Sequence, residues 1–360
     1  MTRLLRIGFM PLTDAGLLLV ASAKNFDREE GLRFELAAEP SWANLRDKLA
    51  LGIYDASHML APAVVASALG LNGFPAPMTG AVALGLDGNA ISVSPRLAAA
   101  LRAKLAGDAA DPACTARALA KVCAERVLNG QPPLRFAHVF PYSSHHYQLR
   151  LWLRSGAIKP DAVQLTVTPP PLMQQAIEGG YIDGFCVGEP WNSLAQQAGA
   201  AEILHPCRVL TPDCPEKVLA FRSESAGREP ELPRAAARAI RRAALWGEKG
   251  ENREEFFQII AEKTAAGASP AMVAASLDQN WLRLDAEATA LAGSQALWLY
   301  VLMVAAGQAS ADDAQAALAQ QAFWPLDGAP PPPSAPGFNI PAFDPKHWRE
   351  ALTALMLNEN

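Results

Sequence analysis

The chain has 360 residues, half of them hydrophobic and 19% charged, with a formal net charge of −5. That length exceeds what one hydrophobic core usually fills and suits two, and the acidic balance argues against a basic face for nucleic acid. No apolar stretch reaches the roughly 18 residues of a membrane-spanning helix, and the first apolar run is broken by Pro11 and Asp14.

Taken in order, Leu4–Phe9 is a short apolar run that ends in Pro11-Leu12-Thr13-Asp14, the pattern of a buried strand and its loop. Thr13 or Asp14 is placed to cap a helix from Ala15 to about Asn25. The start lacks a small-residue cleavage site after a clean apolar region, so the expected mature chain begins near Met1, in the cytoplasm. Gly31 precedes an alternating strand, "LRFELA". A helix is predicted over Trp42–Leu51, then a strand in "YDASHML". The first 90 residues therefore read as strands alternating with helices, which predicts a parallel, doubly wound sheet. In such sheets ligands sit at the carboxyl ends of strands. Three of those ends are Pro11–Asp14, Pro40–Trp42 and Ala56–His58.

The segment "AVALGLDGNAISVS" reads as a strand kinked at Gly88-Asn89, a natural crossover between lobes. The Ala-rich stretch Pro95–Leu128 is helical, and Leu134–Phe140 is a strand running into the loop and helix of "PYSSHHYQLRLWLRSG". Strand, helix, strand and helix follow to Gly199, and two further strands lie in "EILHPCRVLTPDCPEKVLAF", the second able to return to the first lobe. From Pro230 to about Gln321 the chain is predicted helical; Asp327–Pro345 is a Pro-rich extended segment, and a short helix runs from Lys346 to Met356. The fold predicted is a two-lobe α/β clamp with C-terminal helices. One lobe comprises residues 1–87 and 208–360, the other residues 88–207.

Catalytic signatures are missing from the sequence: it has no G-x-S-x-G, no P-loop, no H-E-x-x-H, and no G-x-G-x-x-G after the first strand. An enzyme is not expected, nor a cofactor. The five cysteines, Cys114, Cys123, Cys186, Cys207 and Cys214, are scattered without CxxC spacing and read as reduced thiols; Cys207 and Cys214 are the pair near enough in sequence to bond. His145-His146 are adjacent, a spacing that does not suit a metal. Four side chains carry two readings each. His58 is either a histidine bonded to a carbonyl or a cleft-facing polar group, and His138, inside an apolar strand, is either a bonded core histidine or a ligand contact. Glu189 is either a solvated acid of a helix's first turn or part of a site at that helix N-terminus. Lys217 is either a solvated lysine or a cation facing an anionic ligand.

Six colinear segments, "IGFMPLTDAGLLLVASAKNF", "SWANLRDKLALGIYDASHMLAP", "GLDGNAISVS", "FAHVFPYSSHHYQLRLWL", "PPLMQQAIEGGYIDGFCVGEPWN" and "PEKVLAFR", resemble the nitrate- and bicarbonate-binding proteins of ABC importers, of the type II periplasmic-binding-protein fold. The resemblance runs from Arg6 to about Leu245. With no leader expected, it is nearest to the cytosolic branch of that family, the NasS-type nitrate/nitrite sensors. The resemblance implies a partner, an ANTAR-domain antiterminator of the NasT type, held without ligand and released by nitrate or nitrite to act on leader RNA. It also implies an anion site: Trp42 packing a face on the planar anion, His58 at the next strand end, and His138 donating to an oxygen. Lys217 would supply charge, and Gly88 and Asn89 would turn backbone N–H groups to the ligand. Where the importers carry a glutamine before Gly-Asn, this chain has Asp87, a carboxylate that must turn away from a bound anion or pair with a cation. Nitrate needs donors alone, whereas bicarbonate, with its O–H, favours a carboxylate acceptor, for which Asp87 and Glu189 are the candidates.

Overall fold

The structure is a computed structural model that describes residues 2–71, 73–74, 76–324 and 343–357. Residues 327–342 of the Pro-rich stretch lie outside these. Two five-stranded sheets organise the chain, with a two-stranded ribbon beside the crossover. The first contains β1 (Arg3–Phe9), β2 (Leu32–Ala38), β3 (Ala56–Leu60) and β4 (Met78–Ala83). The crossover holds β5 (Leu86–Asp87), and the second sheet opens with β6 (Asn89–Val93). That sheet is completed by β7 (Leu134–His138), β8 (Val163–Val167), β9 (Gly184–Gly188) and β10 (Glu202–Pro206). The chain then returns to the first sheet as β11 (Lys217–Arg222).

The expected all-parallel sheet is corrected by this return. β1 pairs β2 and β3 in parallel, but β11 inserts between β3 and β4 and runs antiparallel to both. The second sheet has the same mixed character: β7 is parallel to β8 and β9, while β6 is antiparallel to β9 and β10. β11 arrives from the second sheet and enters the first reversed relative to both neighbours. The strand-helix rhythm of the first 90 residues does not contain that information.

The crossover is three pieces rather than one kinked strand. β4 ends at Ala83, and Asp87 has a positive φ of 65° before β6 starts. The gap is braced by β12 (Leu282–Arg283), which pairs with β5 and interrupts the stretch read as almost wholly helical. Apolar side chains dictate the layering. Leu5, Ile7 and Phe9 of β1 are buried against the helices Gly16–Ala23, Glu231–Gly247 and Arg253–Lys263. Phe136 and Trp152 anchor a separate cluster under the second sheet. A third cluster is continuous from Trp42, Leu45 and Leu49 to Tyr147, Phe185 and Val187, and includes the apolar helix Gly293–Ala305. The two sheets therefore share buried apolar surface as well as two crossing segments.

Candidate functional site

The helix read from Ala15 begins instead at Gly16, after a single 3-10 turn, Thr13–Ala15, and no side chain caps it. Asp14 is turned inward. It is buried, with Oδ2 at 2.8 Å from the Lys217 ammonium and Oδ1 at 3.3 Å from His58 Nε2. Lys217 opens β11 beside the end of β3, which carries His58. Its Nζ also donates to Asn89 Oδ1 at 2.6 Å and pairs with Glu216 Oε2 at 3.1 Å. Asn89 in turn donates to Ser144 Oγ and Gln148 Oε1, and Gln148 donates to Glu216 Oε1 at 2.6 Å and Thr211 Oγ1 at 2.8 Å. Side chains from strands of both sheets, and from the helix Ser144–Ser155, are thus joined in one buried network.

Lys217 is the one lysine or arginine buried among the described residues, so a solvated lysine is excluded. Burial works against its charge, but the Asp14 and Glu216 carboxylates outweigh that and hold its pKa above the usual lysine range. Burial likewise opposes the ionisation of Asp14, and Lys217 and His58 together more than compensate, holding that carboxyl below its usual range. Glu216 keeps a raised pKa because its burial exceeds what Lys217 and Gln148 return.

His58 is wholly buried, and neither ring nitrogen has a hydrogen-bond partner, which excludes the carbonyl-bonded histidine. Trp42 stands edge-on to it, ring centroids 5.3 Å apart at 81°. The Trp42 helix starts where Ser41 Oγ accepts the Asn44 N–H. Trp42 Nε1 is buried and also unpartnered.

His138 takes the bonded-core reading rather than the ligand contact that the resemblance implies. Its Nδ1 donates to the Phe140 carbonyl at 2.9 Å, and its Nε2 lies 3.4 Å from His146 Nδ1, so both nitrogens are engaged within the second lobe's own loop. Burial pushes His138 down to about 4 and His146 to about 3. His145, beside Ser144 at the start of the helix Ser144–Ser155, is the histidine whose ionisation the Lys217 charge opposes. It is wholly buried, both ring nitrogens lack partners, and burial together with the Lys217 charge holds it neutral. Ser143 caps the helix by accepting the His146 N–H, which sets His145 in the first turn. That Ser-Ser-His-His capping pattern was the available signal for it.

The Gly88 N–H is taken by the Trp281 carbonyl at 2.7 Å, so it is the Asn89 carboxamide that enters the cluster from this corner. Asp87 turns away: Oδ1 accepts the Cys214 N–H at 3.2 Å and Oδ2 lies 3.8 Å from Arg208 Nε. Burial, with Glu216 nearby, raises Asp87 to about 8. Glu189 is buried, not solvated, and burial raises it to about 7 despite the Ser193 N–H on Oε2. Its carbonyl accepts the Thr13 N–H at 2.8 Å, and its N–H donates to Gly88 at 3.0 Å. Gly188, just before it, comes close to the ammonium: a Cβ there would lie 3.3 Å from Lys217 Nζ and 3.4 Å from Asn89 Oδ1. Among the described residues no cluster of histidine, cysteine and carboxylate side chains is arranged to hold a metal ion. All five cysteines are free and buried, and Cys207 Sγ has Cys186 Sγ at 3.6 Å as its near neighbour.

These shifts set a pH dependence. An exposed imidazole titrates near about 6.5, so His138, His146 and His205, at about 4, 3 and 4, lose stability as pH falls from there, because the unfolded chain takes protons first. Asp87 and Glu189 act oppositely. Raised to about 8 and 7, they stabilise the fold at low pH and lose that contribution as pH rises through those values. Urea midpoints are expected to peak between about pH 6 and 7 and to fall on both sides. A flat profile from pH 5 to 8.5 would contradict the burial of these groups.

A sequence profile of the NMT1-like family matches residues 2–261. The nitrate import ATP-binding protein NrtC of Synechocystis is 34% identical over 275 residues, 74% of this chain and 38% of that protein. The nitrate/nitrite binding protein NrtA of Nostoc is 32% identical over 269 residues, 72% of this chain and 57% of that protein. The chain therefore spans little more than half, or less, of these relatives. The crystal structure of the periplasmic nitrate-binding protein NrtA from Synechocystis superposes with a TM-score of 0.85 at 23% identity, covering 98% of both chains, a likeness of fold.

Proposed function

The chain belongs to the NMT1-like family and has the periplasmic-binding-protein fold; from that premise we propose that its buried cluster binds a small planar oxyanion, nitrate or nitrite. One observation carries the proposal. A buried ammonium, paired with Asp14 where the two sheets meet, shares that carboxylate with His58, which packs against Trp42, and the Trp42 indole N–H is buried with no hydrogen-bond partner. Nitrate offers acceptors only, so donors alone complete its shell. Gly188 supports the reading because its missing side chain leaves room beside Lys217. The ligand residues proposed are Trp42, His58, His145, Asn89 and Lys217, with Gly88 and Glu189 shaping the crossover edge. Residues 1–87 with 208–360, and 88–207, are proposed to act as the two lobes that close on the anion.

The role we propose is that of a cytoplasmic sensor. Without ligand it holds an ANTAR-domain antiterminator; nitrate or nitrite closes the lobes and releases it. The resemblance to NasS-type sensors supports this role. The anion must bind the closed form better, and moving the populations from 1:99 to 99:1 takes ~5.5 kcal/mol of differential affinity. Calorimetric titration with nitrate, nitrite and bicarbonate is expected to show saturable heat with the first two; silence with both, and an unchanged melting temperature, would end the proposal. Capture of the antiterminator, with and without nitrate, tests the role. Nitrate binding that leaves capture unchanged favours a second reading, the binding component of an ABC importer, to which the nitrate import and nitrate-binding relatives point.

A further inference from the structure

We infer that Arg46 is a positioning residue of the anion site: its guanidinium clasps the two proposed lobes together at the rim, and so sets how long a bound anion is held. The inference rests on the oxyanion reading and names how that site retains its ligand. It starts from burial. Trp42, His58, Asn89 and Lys217 are each at most 2% exposed. An anion among them can enter or leave only when the halves that carry them part. Whatever fastens those halves on the solvent side therefore governs release.

Arg46 is placed to do this. It lies four residues after Trp42 in the helix Trp42–Ala50, on the same face. Its guanidinium lies over two rings, 5.8 Å from the centroid of Phe74 and 5.8 Å from that of Phe140, within the range of cation–π attraction. Phe74 precedes β4 of the first sheet, whereas Phe140 follows β7 of the second. One cation thus holds a ring from each side. The rings also meet directly: Phe74 is 6.4 Å from Phe140, at 68°, and 5.7 Å from Tyr142. The Arg46 side chain is 23% exposed and both phenylalanines are only partly buried, so the contact lies at the border of the buried cluster. Its Nε donates to Asp47 Oδ1 at 2.7 Å, which steadies the guanidinium.

Phe140 is tied to the part of the second lobe that reaches the site. Its carbonyl accepts from His138 Nδ1 at 2.9 Å and from Ser143 Oγ at 2.6 Å. Ser143 caps the helix Ser144–Ser155, whose Ser144 and Gln148 accept from Asn89. Holding Phe140 therefore holds the strand end and the helix beside the Lys217 network. The same loop has a second anchor. Gln308 donates to the Pro141 carbonyl at 3.0 Å and accepts from the Tyr147 hydroxyl at 2.7 Å. That anchor remains when Arg46 is changed.

The test is stopped-flow tryptophan fluorescence of the whole chain with sodium nitrate, which reads entry and release separately. Arg46→Ala is expected to speed release about fivefold without slowing entry. Arg46→Lys keeps the charge without the flat guanidinium, and its release rate should fall between. Phe140→Leu cuts the same contact from the other side, so the double variant should release no faster than the faster single one. Accelerations that multiply in the double variant overturn the inference. So does slowed entry with unchanged release, which would make Arg46 a steering charge. Small-angle scattering reads the clasp without ligand: the radius of gyration should grow in Arg46→Ala. If nitrate, nitrite and bicarbonate all fail to bind, the oxyanion reading falls and the radius alone decides, growth upholding the clasp and an unchanged radius overturning it.

Discussion

Lys217→Met is expected to lower the unfolding free energy by about 3–5 kcal/mol and to abolish anion binding together. A lysine serving only a ligand could be removed without harm to the fold. This one neutralises Asp14 and Glu216 and donates to Asn89 inside the protein, so its loss strands two buried carboxylates. The same physics predicts the rescue. Lys217→Met combined with Asp14→Asn and Glu216→Gln leaves no unpaired charge, and should recover much of the stability while binding stays absent. Urea unfolding of both variants checks this. A Lys217→Met chain within about 1 kcal/mol of the parent would mean that the ion triad is not formed.

Trp42→Ala is expected to cost about 3–5 kcal/mol, because the ring is 2% exposed and fills the apolar cluster with Leu45 and Leu49. Its indole is at once packing and a site wall: edge-on to His58, with its N–H turned to no protein acceptor. Trp42→Phe separates the two roles. It keeps most of the ring volume and should lose less than about 1.5 kcal/mol of stability. Deleting a hydrogen bond to a charged partner costs about 1.5–3 kcal/mol, so nitrate should bind that variant at least about tenfold more weakly. Unchanged affinity in Trp42→Phe would remove the indole N–H from the site.

The strands were legible because their burial is written in apolar runs: Leu4–Phe9, "ASHML" and "GFCV" all fall in sheets. Strand direction was not, since nothing in "KVLAF" says which neighbours it will meet. Lys217 was identifiable by its place before an apolar strand. Its carboxylate partners were not: Asp14 looked like a helix cap, and nothing singled out Glu216. What revealed Asp14 is its 2.8 Å approach across about 200 residues of sequence, and Glu216, next to Lys217 in the chain, is revealed by its burial. The histidines divide for a similar reason. His138 sits in an apolar strand, which made it conspicuous, yet its bonds are local. His145 is one member of an adjacent pair, and its inward direction depends on where Ser143 starts the helix.

The position of β11 also bears on how the protein is made. Residues 89–206 supply every strand of the second sheet in one contiguous run, so that half can complete itself as it emerges from the ribosome. The first sheet cannot. An inner place, between β3 and β4, stays open until residue 222 has been synthesised, leaving two apolar strand edges unpaired meanwhile. Closing that gap needs contacts far apart along the chain, which form slowly and expose the nascent protein to aggregation. The same late strand carries Lys217, so Asp14 and His58 wait for their cation until the sheet that bears them is finished.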